Sequence, residues 1–468
     1  MADQSVFRIT KELSDLQKNS DLSLAVACRD IDVRNVKALI IGPHETPYEF
    51  GFFEVIHGLG FDVGEMFYCV LMLLRLKFSF KFNKDYPRKS PAVIATTTNG
   101  GRCRFNPNIY ANGRVCLSIL GTWRGERGEE WSAAQGLESI LLSIQSLMST
   151  NPYENEPGFE DANEASDKKN QKDYVQKIRH ETLRISVIQR LEEYLGMSSD
   201  GTLTAPVANR DDYDLDMDVM DDDSSVPFEP FKDICKRRFL WYYDSYLAAI
   251  QKGKAEVKDN QVFTRMPFEG TSNTMEGKFN YSELEKRLRN IKMALDAETA
   301  AWAVDGLAAK AKEGTVAVNL QRQYEQVVES FKRSDTPHNL ELLDGNPFVW
   351  VLSYIGKPMT NLDGGLFRIK LCFSPRFPED QPRIKFETRM FHHRISTDGT
   401  PCYFAPPSRR EDAKSHIEAV IDALEEEQPP YDPRTLVHPE AFKLYWGSAD
   451  DRKMYNRRLR RSVQQSME

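Results

Sequence analysis

Among the seven cysteines of this 468-residue chain, one is set in a run of loop-forming and then apolar residues. It is Cys116, inside "FNPNIYANGRVCLSILGTW". Phe105 stands eleven places before it, Asn108 eight before it and Gly113 three before it. A cysteine here is either a packed thiol, which is the common fate of a free cysteine, or a nucleophile that works as its thiolate and forms a covalent acyl intermediate. The stretch "FHHRISTDGTPCYF" repeats the spacing, with Phe391 eleven places and Gly399 three places before Cys402. Its residue eight before the cysteine is Arg394, so the second frame lacks the neutral amide of the first. A cysteine hydrolase would need a general-base histidine, and none of the eight histidines falls in a partner motif of that kind. The pair His392–His393 has no further ligands spaced near it, so no metal site is expected.

These residues must be held by folded elements, and the chain has length for two or three domains. With 40% hydrophobic and 28% charged residues it reads as globular and soluble. A net charge of −8 gives no sign of nucleic-acid binding. The odd cysteine count with no CxxC pair and the opening "MADQSVFRIT", which has no signal peptide, point to the cytoplasm or nucleus. "MFYCVLMLLRL" is too short to cross a bilayer, so no membrane partner is expected. "VFRITKELSDLQKN" has helical spacing, and "LSLAVACRD" and "VKALIIG" have strand character. Downstream of Cys116, Ser132 and Gln135 suggest a capping box for a helix whose stripe is Leu137, Ile140, Leu141, Ile144 and Met148. Helical spacing resumes over about 160–195. The acidic run "DDYDLDMDVMDDD" then reads as a self-repelling linker.

"FLWYYDSYLAAI" and "FNYSELEKRLRNIKMAL" predict two amphipathic helices, the second capped by Asn280 and Glu283, with Leu284, Leu288, Ile291 and Leu295 on one face. From about residue 319 the opening order returns, with a helix at "NLQRQYEQVVESF", strands at "FVWVLSYIG" and "GLFRIKLCF", the Cys402 frame and a helix at "SHIEAVIDALEEE". This is a domain-sized duplication. The first copy alone carries residues 55–77; deleting them joins "GFFE" to "FSFKFNKDYP", and Phe53, Phe78, Phe80 and Phe82 then alternate as a half-buried strand requires. The segment therefore interrupts a strand, either as a hairpin extension or as a translated retained intron.

The series "GPHETPYEFGFF", "DYPRKSP", "FNPNIYANGRVCLSILGTW", "WSAAQ" and "NPYENEPG" resembles the ubiquitin-conjugating enzyme family, and more narrowly a large branch with Asn-Pro-Asn where most members have His-Pro-Asn. The resemblance covers roughly residues 1–298 and continues, degraded, over 316–468. It implies an α+β class with two folds of that family, each an N-terminal helix, a four-stranded antiparallel meander and C-terminal helices. It divides the chain into a catalytic domain at 1–200, an acidic linker at 201–227, a helical extension at 228–298 and a second, degenerate domain at 299–468. It implies a transferase that accepts ubiquitin or a ubiquitin-like modifier from an activating enzyme as a thioester on Cys116. The modifier then passes to a substrate lysine, usually with a ligase. No cofactor is implied, since ATP is used by the activating enzyme.

By the same resemblance, Asn108 supports the tetrahedral oxyanion or holds the loop that shapes the site, and Gly113 turns the chain before the thiol. Glu154 or Glu156 meets the incoming lysine. Asn106 reads as an ordinary turn residue, and Cys28, Cys69, Cys103, Cys235 and Cys372 as inert. Three departures put ordinary ligase docking in question: Phe50 for the first glycine of a Gly-Gly turn, Arg88 for an apolar residue, and Ala133 for a proline. Cys402 keeps its place and Arg394 could lower a thiol pKa, yet "PCYFAPPSRRED" shares nothing with "CLSILGTW". The second copy is thus either another carrier or a non-catalytic module. A binding scaffold made of two such folds is the alternative for the whole chain.

Overall fold

The computed structural model describes residues 4–18, 22–56, 82–125, 128–203, 228–270, 274–312 and 314–468. The acidic run and residues 57–77 of the expected insertion lie outside them. Proximity along the backbone divides the chain into a first unit, 1–232 with 252–288, and a second, 233–251 with 289–468. The segment expected as a helical extension is shared between both.

In the first unit, helix α1 (Gln4–Lys18) leads into strands β1 (Leu24–Arg29), β2 (Asp32–Ile41), β3 (Phe52–Ile56) and β4 (Ile94–Ala95), an antiparallel meander in chain order. Helices α2 (Leu137–Ser146), α3 (Ala165–Glu181) and α4 (Arg190–Leu195) follow, the last two joined by a π-helical stretch, Thr182–Gln189. Period-two alternation sends Val36, Ala38 and Ile40 of β2 and Phe53 and Val55 of β3 into one core, with Ile9 and Leu13 of α1 and the α2 stripe. The start of the insertion therefore continues the strand rather than breaking it at Glu54. Val55 pairs with Ala95 and Ile56 with Ile94, because Val55 suits the inward position in that register.

The other sheet face is buried too. Leu39, Ile41, Phe52 and Glu54 are buried, and Tyr194 of α4 donates to Glu54 Oε1 at 2.7 Å. The expected capping box is corrected. Gln135 Oε1 does accept from Ser132 N at 2.9 Å, but this closes a turn before the helix, and Gly136 is the N-cap of α2.

Helices α5 (Lys232–Glu256) and α6 (Tyr281–Ala311) come next, and Asn280 Oδ1 accepts from Glu283 N at 3.1 Å as its sequence position suggested. The second unit repeats the meander. Helix α7 (Thr315–Arg333) precedes β5 (Asn339–Leu342), β6 (Val349–Ile355), β7 (Leu366–Cys372) and β8 (Arg383–Phe386), again antiparallel in chain order. Helices α8 (Ala413–Glu425), α9 (Pro439–Trp446) and α10 (Ala449–Gln465) close it.

The duplication extends to single hydrogen bonds. Gly42 N donates to Gly51 O at 2.9 Å, and Gly356 N to Gly365 O at 2.8 Å. Thr46 and Thr360 hydroxyls each donate to the carbonyl three residues back at 2.7 Å. In this turn the second copy has Gly364 at φ 76°, whereas the first has Phe50 at φ 54°. A left-handed phenylalanine is disfavoured, and its buried ring, stacked on His44 at 5.9 Å, supplies the offsetting contact.

Candidate functional site

The segment from Phe105 to Thr122 has little regular structure, so its backbone is held by side chains. Asn106 is the hub and is fully buried. Its Nδ2 donates to the Tyr48 hydroxyl at 3.0 Å and to Leu147 O at 2.8 Å, while its Oδ1 accepts from Asn108 N at 2.9 Å. This corrects the reading of Asn106 as an ordinary turn residue. A buried amide that joins its own loop to two other segments, at Tyr48 and Leu147, fixes the loop.

Gly113 has φ 87°, and a Cβ there would lie 2.3 Å from Ala95 O. Only glycine fits this close approach, which lets Ala95 N donate to Gly113 O at 2.8 Å and ties the loop to β4.

Asn108 and Cys116 meet across the turn in a reciprocal pair. Cys116 N donates to Asn108 O at 2.8 Å, and Asn108 Nδ2 donates to Cys116 O at 3.2 Å. Asn108 thus performs the loop-holding task in this state, with the second N–H of its amide left for another acceptor and its Oδ1 buried without a partner. Cys116 itself is 4% exposed.

Tyr110, absent from the sequence expectations, stands beside the thiol. Burial first, then the charge and hydrogen bond of Cys116, raise its phenol above the ordinary value. The Arg104 guanidinium lies 5.0 Å from the Tyr110 ring centroid. The only sequence signal for Tyr110 is its place two residues after Asn108.

The two acidic candidates separate. Glu156 pairs with the buried Arg104 at 2.9 Å; burial raises its pKa, and Arg104 opposes the rise. Glu154 is exposed and accepts from Asn151 Nδ2 at 2.7 Å. Arg88 and Ala133 are both exposed, and Trp131 Nε1 ties their loops together by donating to Pro87 O at 2.8 Å.

The second frame preserves the backbone and changes the chemistry. Cys402 N donates to Arg394 O at 2.7 Å, and Gly399 at φ 91° approaches Phe386 O as Gly113 approaches Ala95 O. Cys402 is fully buried, and burial pushes its thiol up to about 11 despite the nearby Arg394. Arg394 faces the thiol, where its charge and hydrogen bond oppose the rise, and it also donates to Glu426 at 3.2 Å and lies over the Phe404 ring. The α5 side chain of Trp241 packs edge-on against Phe404 at 5.6 Å, and Tyr242 donates to Arg434 O at 2.7 Å. His392 and His393 are buried, with His393 stacked on Tyr445 at 3.9 Å. Among the described residues no cluster of three or more His, Cys, Asp or Glu side chains is arranged to hold a metal, and no helix is long and apolar enough to cross a membrane.

Comparison with known proteins agrees with the duplicated architecture. A family model described as ubiquitin-conjugating enzyme matches residues 74–182 and again 319–435. The chain is 34% identical over 290 residues to ubiquitin-conjugating enzyme E2 Z of Xenopus tropicalis, covering 62% of this chain and 72% of that protein. It is 34% identical over 287 residues to the human protein of the same name, covering 61% of this chain and 62% of that one. The chain thus spans less than two thirds of the human relative's length. Among solved structures, the E2 domain of a Toxoplasma gondii ubiquitin conjugating enzyme is similar at 25% identity and a TM-score of 0.27, over 38% of this chain and 97% of that domain. The chain belongs to the ubiquitin-conjugating enzyme family and carries that family's residues in two successive copies.

Proposed function

We propose that this chain accepts ubiquitin or a ubiquitin-like modifier from an activating enzyme as a thioester on Cys116 and delivers it to a substrate lysine, with a ligase as the usual partner. The observation that carries this reading is the reciprocal Asn108–Cys116 pair, which fixes the thiol-bearing backbone on both its N–H and C=O sides. In the first step the Cys116 thiolate attacks the carbonyl of the modifier's C-terminal glycine and expels the activating enzyme's thiolate. In the second the lysine amine attacks that carbonyl, an isopeptide bond forms and the Cys116 thiolate leaves. Sulfur suits both steps, being a strong nucleophile whose acyl ester stays reactive toward amines. Asn108 serves the second step with the amide N–H that Cys116 O does not use, directed at the tetrahedral oxyanion. Glu154, exposed and free of any arginine in its bonding, is better suited than Glu156 to meet an incoming ammonium. The chain holds no ATP in this scheme, and its place of action is the cytoplasm or nucleus.

The second copy acts as a non-catalytic module. Its site differs from that of Cys116 in having Arg394 where the first copy has the neutral amide of Asn108, and burial pushes the Cys402 thiol up to about 11. The test is a charging reaction with activating enzyme, ATP and ubiquitin, read on a non-reducing gel. The unaltered chain forms an adduct that thiol reductant removes, and Cys116→Ser forms one that reductant leaves intact. Cys116→Ala with Cys402 present forms none. A reductant-sensitive adduct of undiminished yield in Cys116→Ala overturns the assignment to Cys116.

A further inference from the structure

We infer that Thr122 is a positioning residue for the thioester chemistry, its hydroxyl clamping the backbone on both sides of Cys116. This rests on the Cys116 reading above. The Thr122 hydroxyl donates to Val115 O at 2.6 Å and accepts from Leu117 N at 3.0 Å, so one oxygen bridges the residues immediately before and after the nucleophile. The Thr122 backbone N also donates to Leu117 O at 3.2 Å. Between them runs the short 3-10 turn Ser118–Leu120, ended by Gly121 at φ 67°, which brings residue 122 back over the cysteine.

With the Asn108 pair, the backbone of the three residues 115–117 is bonded to two side chains, those of Asn108 and Thr122. A threonine satisfies this geometry because its hydroxyl is donor and acceptor at once, while its branched Cβ restricts χ1 and holds that hydroxyl in place. The reacting carbon on Cys116 moves with this backbone, and transfer needs it placed against the oxyanion donor and the incoming amine within a few tenths of an ångström. The second copy offers a contrast. Its counterpart of the Asn108 contact survives as Cys402 N to Arg394 O, but Ser408, six places after Cys402 as Thr122 is after Cys116, is exposed and makes no bond to the backbone beside the cysteine.

The test is single-turnover discharge of the preformed thioester to free lysine, using the full chain. Thr122→Val keeps the shape and removes the hydroxyl; its maximal discharge rate falls by about tenfold or more, the equivalent of one or two lost hydrogen bonds. The lysine concentration giving half-maximal rate stays within about twofold, and Thr122→Ser restores the rate to within about threefold, on the same hydrogen-bond scale. Thermal unfolding is followed in parallel so that rates are compared where each variant is folded, and Thr122→Ala replaces Thr122→Val if the latter does not fold. Discharge of the hydroxyl-less variant at the normal rate, a change confined to the lysine dependence, or failure of Thr122→Ser to restore the rate overturns the inference. If the unaltered chain never acquires a thioester, the Cys116 reading fails; if it does and Thr122→Val discharges normally, only the role of Thr122 falls.

Discussion

Replacing Gly113 by alanine isolates the physical basis of the thiol loop, and Gly121→Ala is its control. Both glycines have positive φ, 87° and 67°, so both substitutions place an L-residue in the left-handed region at roughly 1–2 kcal/mol each. There the likeness ends. A Cβ at Gly121 meets nothing within 4 Å, whereas one at Gly113 would sit 2.3 Å from Ala95 O and 2.6 Å from Ile94 Cγ2. The loop must move off β4, giving up the 2.8 Å bond from Ala95 N to Gly113 O, which contributes about 1 kcal/mol. Crowding in a packed site adds roughly 1–3 kcal/mol. Gly113→Ala is therefore expected to destabilise the first unit by about 3–6 kcal/mol and Gly121→Ala by about 1–2 kcal/mol. Urea titration monitored by hydrogen exchange of peptides spanning residues 90–120 reports the two losses locally. Charging of Cys116 follows the same order, since the displaced loop carries Asn108 and Cys116 with it. Equal effects of the two substitutions, or a loss below about 1 kcal/mol for Gly113→Ala, would refute the close-approach argument.

Three further outcomes follow from the same geometry. Asn108→Ala removes both the loop bond to Cys116 O and the proposed oxyanion donor; discharge to lysine falls by about 10²-fold or more, and an unchanged discharge rate contradicts the assignment. In the first unit, Lys177 and Glu269 form a fully buried ion pair, Lys177 also donating to Thr264 O at 3.0 Å. Glu269→Ala strands the ammonium and costs roughly 3–5 kcal/mol, while Lys177→Met with Glu269→Leu costs far less, a difference read from urea midpoints. The second unit weakens below pH 6.5. Burial depresses His392 to about 3 and His416 to about 4 in the folded state, below the ordinary unfolded value of about 6.5. Unfolding therefore takes up protons as pH falls through 6.5, and the stability present above that pH declines toward the folded values. At pH 5 the two groups together remove about 4 kcal/mol relative to pH 7.5. The depressed carboxylates Asp233 and Asp398 act only nearer pH 4, so a flat urea midpoint between pH 7.5 and 5 contradicts the burial of these imidazoles.

Local pattern made much of this molecule legible in advance. Apolar spacing marked α1, α2 and α6, and short runs rich in Val, Ile, Leu and aromatic residues marked β2, β6 and β7, because such patterns are a property of neighbouring residues. The repeated frame of aromatic, glycine and cysteine marked the duplication and Cys116. The fine assignments were not legible. Helix α2 starts at Leu137 because Ser132 and Gln135 are spent on a turn, an outcome of competition between two local bonds. Asn106 became a hub through Tyr48 and Leu147, and Tyr110 reached the thiol through the folding of its own loop; neither contact leaves a mark at fixed spacing.

By itself the sequence determined which residue types recur at which intervals, and so the elements, the two copies and the cysteine in each. Tertiary structure decided what surrounds those cysteines. The same backbone bond holds Cys116 and Cys402, and both are buried, but their neighbours differ: Tyr110 and the Asn108 amide beside Cys116, the Arg394 guanidinium beside Cys402. Burial and the placing of charges depend on segments far apart in the chain as well as on the loop itself, which is why spacing alone could place both sulfurs and assign neither environment.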